Sequence, residues 1–204
     1  MPKEYVGQAF RFNAQTINVS TGTRVGKVSE RPFPMNFDDN RGSDESFMRV
    51  ALQLAAKAYE ADEVPVGAVV VRAGRIIGRA WNQVELLKDA TAHAEMLALT
   101  QAEAAVGDWR LTDCDLYVTK EPCVMCAGAL VHVRIRRVVF GCADPRSGAA
   151  GGIINLLQHP ALNHHCDITS GVLQNECAAI LQDFFRKKRG RTGDTTASVG
   201  EDRH

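Results

Sequence analysis

The stretch Cys114-Asp-Leu-Tyr-Val-Thr-Lys-Glu-Pro-Cys-Val-Met-Cys-Ala-Gly-Ala-Leu-Val-His-Val-Arg-Ile-Arg-Arg-Val-Val-Phe-Gly141 decides the fold. Cys114 to Thr119 mixes apolar and β-branched residues in a short run and reads as a strand. Pro122, with its φ preset and no N–H to satisfy, suits the start of a helix that runs to about Val133. Arg137 to Gly141 is β-branched and aromatic and reads as a second strand. Strand, helix and strand in immediate succession make the unit from which α/β domains are assembled.

The flanking sequence repeats the alternation. Upstream, Thr91 opens a helix to about Ala105, with Met96, Leu97, Leu99 and Ala102 as core candidates. Before it, Val66 to Arg72 and Arg75 to Trp81 read as a β-hairpin turning at Ala73-Gly74. Ser43 or Asp44 caps a helix whose apolar face is Phe47, Val50, Ala51, Leu54, Ala55 and Ala58. Downstream of a Gly/Ala-rich loop at 142–152, Ile153 to Gln158 reads as a short helix and His164 to Thr169 as a fifth strand. A last helix runs from Gly171 to about Lys188. This gives one α/β domain over 43–190 with helices covering a sheet. Residues 1–42 lack apolar periodicity and contain Pro2, Pro32 and Pro34, so they read as a disordered extension. A presequence and an over-extended start ahead of Met35 are the alternatives. Residues 191–204 read as a disordered tail.

The 204 residues carry 24 Lys+Arg against 24 Asp+Glu, and 45% are hydrophobic. No apolar run approaches the ~20 residues a spanning helix needs, which argues against a membrane protein. No apolar block near Met1 resembles a secretory signal. The six cysteines therefore read as reduced thiols of a cytoplasmic protein, not as a disulfide framework. Zero net charge excludes an indiscriminate polyanion binder. The balance is uneven, however: residues 186–204 hold six basic and three acidic side chains, with Arg186-Lys-Lys-Arg189 unbroken by an acid. That run serves either as an RNA-contact patch or as a solvated helix end complementing the macrodipole.

Cys123 and Cys126, three apart at a helix start, project from one face toward a shared point, where the positive helix end favours thiolates. Alone they fit a redox dithiol, half a zinc site or coincidence. His93-Ala94-Glu95, at the start of the Thr91 helix, narrows the choice. One imidazole and two thiolates make a three-ligand zinc site with the fourth tetrahedral position left for water, the pattern of a catalytic site and not of a structural one. Glu95, about 200° around the helix from His93, is not a fourth ligand but is suited to act as general base toward that water. His164-His165-Cys166 invites a second metal site, but on a strand only 164 and 166 share a face.

The order H-x-E followed by P-C-x-x-C is the signature of zinc nucleobase deaminases. At finer grain the chain resembles the bacterial tRNA-specific adenosine deaminases of the cytidine/deoxycytidylate deaminase superfamily. The matching stretches are Glu63 to Ala68, Trp81-Asn82, Thr91 to Glu95, Glu121 to Leu130, Arg137 to Gly141 and Asp144 to Gly151, across roughly residues 44–190. The resemblance implies a three-layer α/β/α sandwich with a central five-stranded mixed sheet. It implies one Zn2+ per subunit on His93, Cys123 and Cys126, with Glu95 shuttling protons during hydrolysis at C6 of a flipped-out adenine. Asn82 looks like the family's base-contacting amide, Val66 and Ala68 like the pocket wall, and Asp144 and Arg146 like nucleic-acid contacts. The implied partners are a second copy of the chain and a tRNA, in the first instance the arginine tRNA anticodon stem-loop, with no membrane.

Two other readings stand beside this one. The same zinc chemistry serves a deaminase of a free base or nucleotide such as guanine or cytidine, which needs no RNA footprint. A non-catalytic, zinc-structured RNA-binding module needs neither Glu95 nor an open coordination position.

Overall fold

A computed structural model describes the backbone of residues 43–194 and the side chains through residue 190. The expected extension at 1–42 lies outside the described residues. The described residues form five strands and five helices, in the order α1 (Asp44–Glu60), β1 (Gly67–Arg72), β2 (Arg75–Trp81), α2 (Val84–Leu87), α3 (Ala94–Val106), β3 (Cys114–Lys120), α4 (Val124–His132), β4 (Arg137–Cys142), β5 (Asp167–Ser170) and α5 (Gln174–Asp194). The strands form one mixed sheet in the order β2-β1-β3-β4-β5, antiparallel from β2 to β3 and parallel from β3 to β5. The parallel step from β3 to β4 requires a crossover, and α4 supplies it.

Two glycines show how the layers stack. A Cβ on Gly67 of β1 would lie 2.0 Å from the Ala51 carbonyl oxygen of α1, and one on Gly78 of β2 would lie 2.3 Å from the Ala98 carbonyl oxygen of α3. Gly78 pairs with Val70, three residues from Gly67, so the two glycines face opposite sides of the sheet. Helix α1 therefore covers one face and α3 the other. Helix α5 joins α1, its Cys177 packing where Gly141 of β4 has no side chain, and α4 joins α3. The result is the three-layer sandwich of the cytidine-deaminase-like fold.

Helix α1 forms as its sequence dictates. Ser43 caps it, accepting the Ser46 N–H at 3.3 Å, with Asp44 and Glu45 in the first turn. Its buried face is Phe47, Met48, Ala51, Leu54, Ala55 and Ala58; Met48 takes the place expected for Val50, which is half-buried. Asp44 then accepts both Arg137 guanidinium nitrogens, at 3.1 and 2.6 Å, and the Tyr117 hydroxyl at 2.9 Å, which pins the helix start to the sheet. On α3 the core residues are Ala94, Ala98, Leu99 and Ala102, while Met96 and Leu97 stay half-buried. The close approach at Gly78 brings the small residues, not the large ones, against the sheet.

Helices α3, α4 and α5 start two or three residues later than expected, at Ala94, Val124 and Gln174, and three further places differ from the sequence reading. Residues 153–158 form no helix: Ile153 N–H bonds back to Gly148 and Leu156 N–H to Ala149, so the chain folds on the preceding loop instead of coiling on itself. The fifth strand starts at Asp167, because the His164 ring bonds the Ile135 carbonyl and the His165 ring the His159 carbonyl, outside the ladder. Helix α5 continues to Asp194, past the expected start of the tail; residues 195–204 lie outside the described residues. All six cysteines are unpaired, and no described helix is long and apolar enough to cross a membrane.

Candidate active site

Two helix starts meet at the C-terminal end of β3. His93 is the N-cap of α3 and Cys123 the N-cap of α4, with Cys126 in the first turn of α4. The three side chains thus sit at two converging positive helix ends, at the helix starts where the sequence reading put them. His93 Nδ1 lies 3.4 Å from Cys126 Sγ and 3.7 Å from Cys123 Sγ. Zinc–nitrogen and zinc–sulfur bonds of ordinary length at a tetrahedral angle would set such atoms about 3.6 Å apart. The trio therefore fits a zinc ion, and it is the one group of three metal-competent side chains among the described residues.

The electrostatics agree with this. The Cys126 thiol and the His93 ring pull the Cys123 thiol down to about 3, and the neighbouring Cys123 raises His93. Cys126 is pushed up, by the hydrogen bond it shares with Cys123 and by burial. Two thiols and an imidazole here compete for protons that a cation would displace. Glu95, in the first turn of α3, is 4% exposed, and burial raises it above the ordinary carboxylate range against the pull of its own backbone N–H and of His93. The shift is in the direction that suits a carboxyl meant to give a proton as well as take one.

These groups open onto a cavity of about 520 Å³ whose wall also includes Val66, Asn82, Val84, Lys120, Ser147, Phe184, Phe185 and Lys188. Of the residues singled out from sequence, His93, Cys123, Glu95, Asn82 and Val66 line it, and Cys126 lies behind Cys123. Ala68 does not: it is enclosed within β1. Asp144 is buried, its carboxylate held by Lys120 Nζ at 2.6 Å, the Arg146 N–H at 3.0 Å and the Ser147 hydroxyl, so it shapes the loop instead of facing the cavity. Arg146 is exposed outside the cavity. From the basic run, Lys188 reaches the wall and pairs with Asp62 at 2.6 Å; Arg186 and Lys187 both pair with Asp183, and Arg189 is exposed.

Two buried carboxylates had not been assigned roles from the sequence. Glu121 accepts the N–H groups of Asp144, Ala150 and Gly152 at 2.8, 2.9 and 2.8 Å. A Cβ on Gly148 would lie 2.3 Å from that carboxylate, so glycine is required there and the loop wraps the Glu121 side chain beside Cys123. Glu63 accepts from Asn82 and Leu86. Both acids precede a proline by one or two residues, and each directly follows another charged residue, so no local pattern set them apart.

The fold, the ligand trio and the adjacent acid define a metal-dependent nucleobase deaminase, and a sequence model of the MafB19-like deaminase family matches residues 42–189. The chain is 50% identical over 158 residues to the tRNA-specific adenosine deaminase of Bacillus subtilis, spanning 78% of this chain and 98% of the relative. It is 48% identical over 147 residues to that of Haemophilus influenzae, spanning 72% and 85%. Among solved structures, one from a study of A-to-I editing by tRNA:A34 deaminases superposes with a TM-score of 0.63 at 47% identity, covering 66% of this chain and 98% of that one. A guanine deaminase from Nitrosomonas europaea superposes with a TM-score of 0.62 at 26% identity, covering 70% and 85%. The chain belongs to the tRNA-specific adenosine deaminase family.

Proposed function

We propose that the protein is a zinc-dependent hydrolytic deaminase that converts adenosine to inosine at the wobble position of a tRNA anticodon loop. The observation that carries this reading is the His93, Cys123 and Cys126 trio with a buried Glu95 on the same cavity wall. His93, Cys123 and Cys126 would hold the zinc ion, which when bound acidifies water so that hydrolysis runs at neutral pH. Glu95 moves the protons. Its carboxylate takes one from the attacking water and hands it to N1 of the adenine ring as the new bond forms at C6. The second passes by the same carboxylate to the exocyclic amine; the C6–N bond breaks, ammonia leaves and inosine remains. Asn82 and the apolar Val66 face the base, and the Arg186 to Arg189 end of α5 meets the RNA backbone near the cavity mouth.

The reading extends to a deaminase domain at 43–190 with extensions on either side, one zinc per subunit, a homodimer, a cytoplasmic setting and the arginine tRNA anticodon stem-loop as substrate. An RNA substrate is favoured over a free base because the cavity wall includes Phe184, Phe185 and Lys188 of the basic α5. The test is incubation with that stem-loop followed by nucleoside analysis. Inosine is expected from the wild type, whereas Glu95→Ala is expected to keep its zinc by elemental analysis and to lose at least about a hundredfold in turnover. Ammonia released from guanine in place of inosine from the stem-loop would overturn the substrate assignment, and near-normal turnover by Glu95→Ala would overturn the mechanism.

A further inference from the structure

Glu63 brings to the cavity a carboxylate that the proton transfers above do not use. It lies in the segment between α1 and β1, is 1% exposed, and forms part of the wall next to Asn82. One of its oxygens accepts the Leu86 backbone N–H at 2.7 Å, and the other accepts from Asn82 Nδ2 at 3.1 Å. A carboxylate accepts and does not donate, so it takes the NH2 end of the Asn82 amide and never the oxygen. The amide is thereby held one way round. One Nδ2 hydrogen is committed to Glu63; the second hydrogen and Oδ1 are left for whatever enters the cavity. Oδ1 takes no hydrogen bond from the described residues, and none of their fully buried side-chain oxygens or nitrogens lacks a partner, so Oδ1 opens onto the cavity. Through Leu86 the same carboxylate also fixes α2, whose Val84 and Glu85 form the neighbouring wall.

We propose that Glu63 is a positioning residue for the purine base: it sets which edge of the Asn82 amide the base meets and holds the α2 wall beside it. This rests on the reading that the base lies against Asn82. The isosteric change Glu63→Gln separates the two halves of the arrangement. The Leu86 N–H still requires an acceptor, so the new amide oxygen turns to it. The new NH2 group then faces Asn82, whose amide must invert to meet it with Oδ1. The pocket keeps its shape and changes its hydrogen-bonding pattern.

A double-mutant cycle on the zinc-loaded full chain tests this, with the anticodon stem-loop as substrate. Glu63→Gln and Asn82→Ala are each expected to lower kcat/KM by about tenfold or more. Because Glu63 acts through Asn82, the double variant should fall within about threefold of the poorer single one. Melting temperature and zinc content are read alongside and should match the wild type. A second readout needs no turnover: in nitrogen-15 NMR the Asn82 side-chain NH2 should show one slowly exchanging hydrogen that Glu63→Gln releases. Glu63→Gln retaining activity within about twofold, losses that multiply in the double variant, or an unchanged amide signal would each overturn the proposal. So would unfolding or zinc loss in Glu63→Gln, which would make the residue a structural staple. Full activity in Asn82→Ala would remove the base from Asn82 and this inference with it, while leaving the deamination standing. Absence of inosine from the wild type would instead strike the proposed activity, and the amide signal would then decide the orientation by itself.

Discussion

Asp144 illustrates how a residue's partners redirect its chemistry. Burial alone would favour its neutral form, but the Lys120 ammonium and the Ser147 hydroxyl outweigh that and bring the carboxyl down to about 2 from an ordinary 3.8. Its folded value lies below its unfolded one, so the stability it contributes is fully present above about pH 4 and is lost as pH falls toward 2. Urea unfolding followed from pH 7 to pH 2 should therefore show a decline below pH 4 that is shallower in Asp144→Asn. At pH 7 that variant should already be less stable, by about 1–3 kcal/mol, because Lys120 and two N–H or O–H donors lose a charged acceptor. Equal acid sensitivity in the two proteins would show that the pair contributes nothing. Asp44 is held below the ordinary range by Arg137 and Tyr117 against the effect of burial, and its contribution has the same sign.

At the scale of elements, helix α3 matters most because its N-terminus carries His93 and Glu95 together. Its distance from the sheet is set by Gly78. Gly78→Ala would drive a methyl group into the Ala98 carbonyl, so α3 must retreat. A loss of about 1–3 kcal/mol is expected, read as a lower urea midpoint, together with weaker zinc retention against a chelator; unchanged retention would mean that α3 is not the element that sets the ligand geometry. The periodic elements were legible in the sequence because their apolar spacing carries the signal: α1, both hairpin strands, β3, α4 and β4 fall within a few residues of expectation. The grouping of His93, Cys123 and Cys126 was legible for a chemical reason, since few residue types hold zinc and their spacing is restrictive. Glu63, Glu121 and the segment at 153–158 were not legible to the same degree. The two carboxylates depend on backbone N–H groups far along the chain, and no local pattern encodes a bond between Glu121 and Gly152; the segment at 153–158 is shaped by the carbonyls of the loop that Glu121 organises. Ala68 and Asp144 show the converse, as residues inside a matching motif whose surroundings enclose them.

Across the whole molecule, a formal charge of zero conceals a division of labour. The deaminase core is mildly acidic, and the basic run on α5 reaches the cavity wall at Lys188; the Tyr59 hydroxyl holds Asp183 of this helix at 2.5 Å and Lys188 pairs with Asp62. Arg186 and Lys187 keep most of their side-chain surface in solvent despite pairing with Asp183. Replacing both with Glu should weaken stem-loop binding and reduce its salt dependence by about one to two ion equivalents, with zinc content unchanged. Binding that is insensitive to these changes would move the RNA footprint elsewhere. The loop wrapped around Glu121 has a consequence for how such a chain can vary over time. While Glu121 stands, Gly148 and Gly152 admit no side chain, since a Cβ at either would lie within 3.0 Å of its carboxylate. Losing Glu121 does not free either position, since the Asp144 carbonyl oxygen would still lie 2.6 Å from a Cβ at each, and it abandons three amide bonds beside Cys123 in the same step. The two glycines are thus held from two sides, by the Glu121 carboxylate and by the Asp144 backbone, and a library that randomises positions 121, 148 and 152 will return the starting residues.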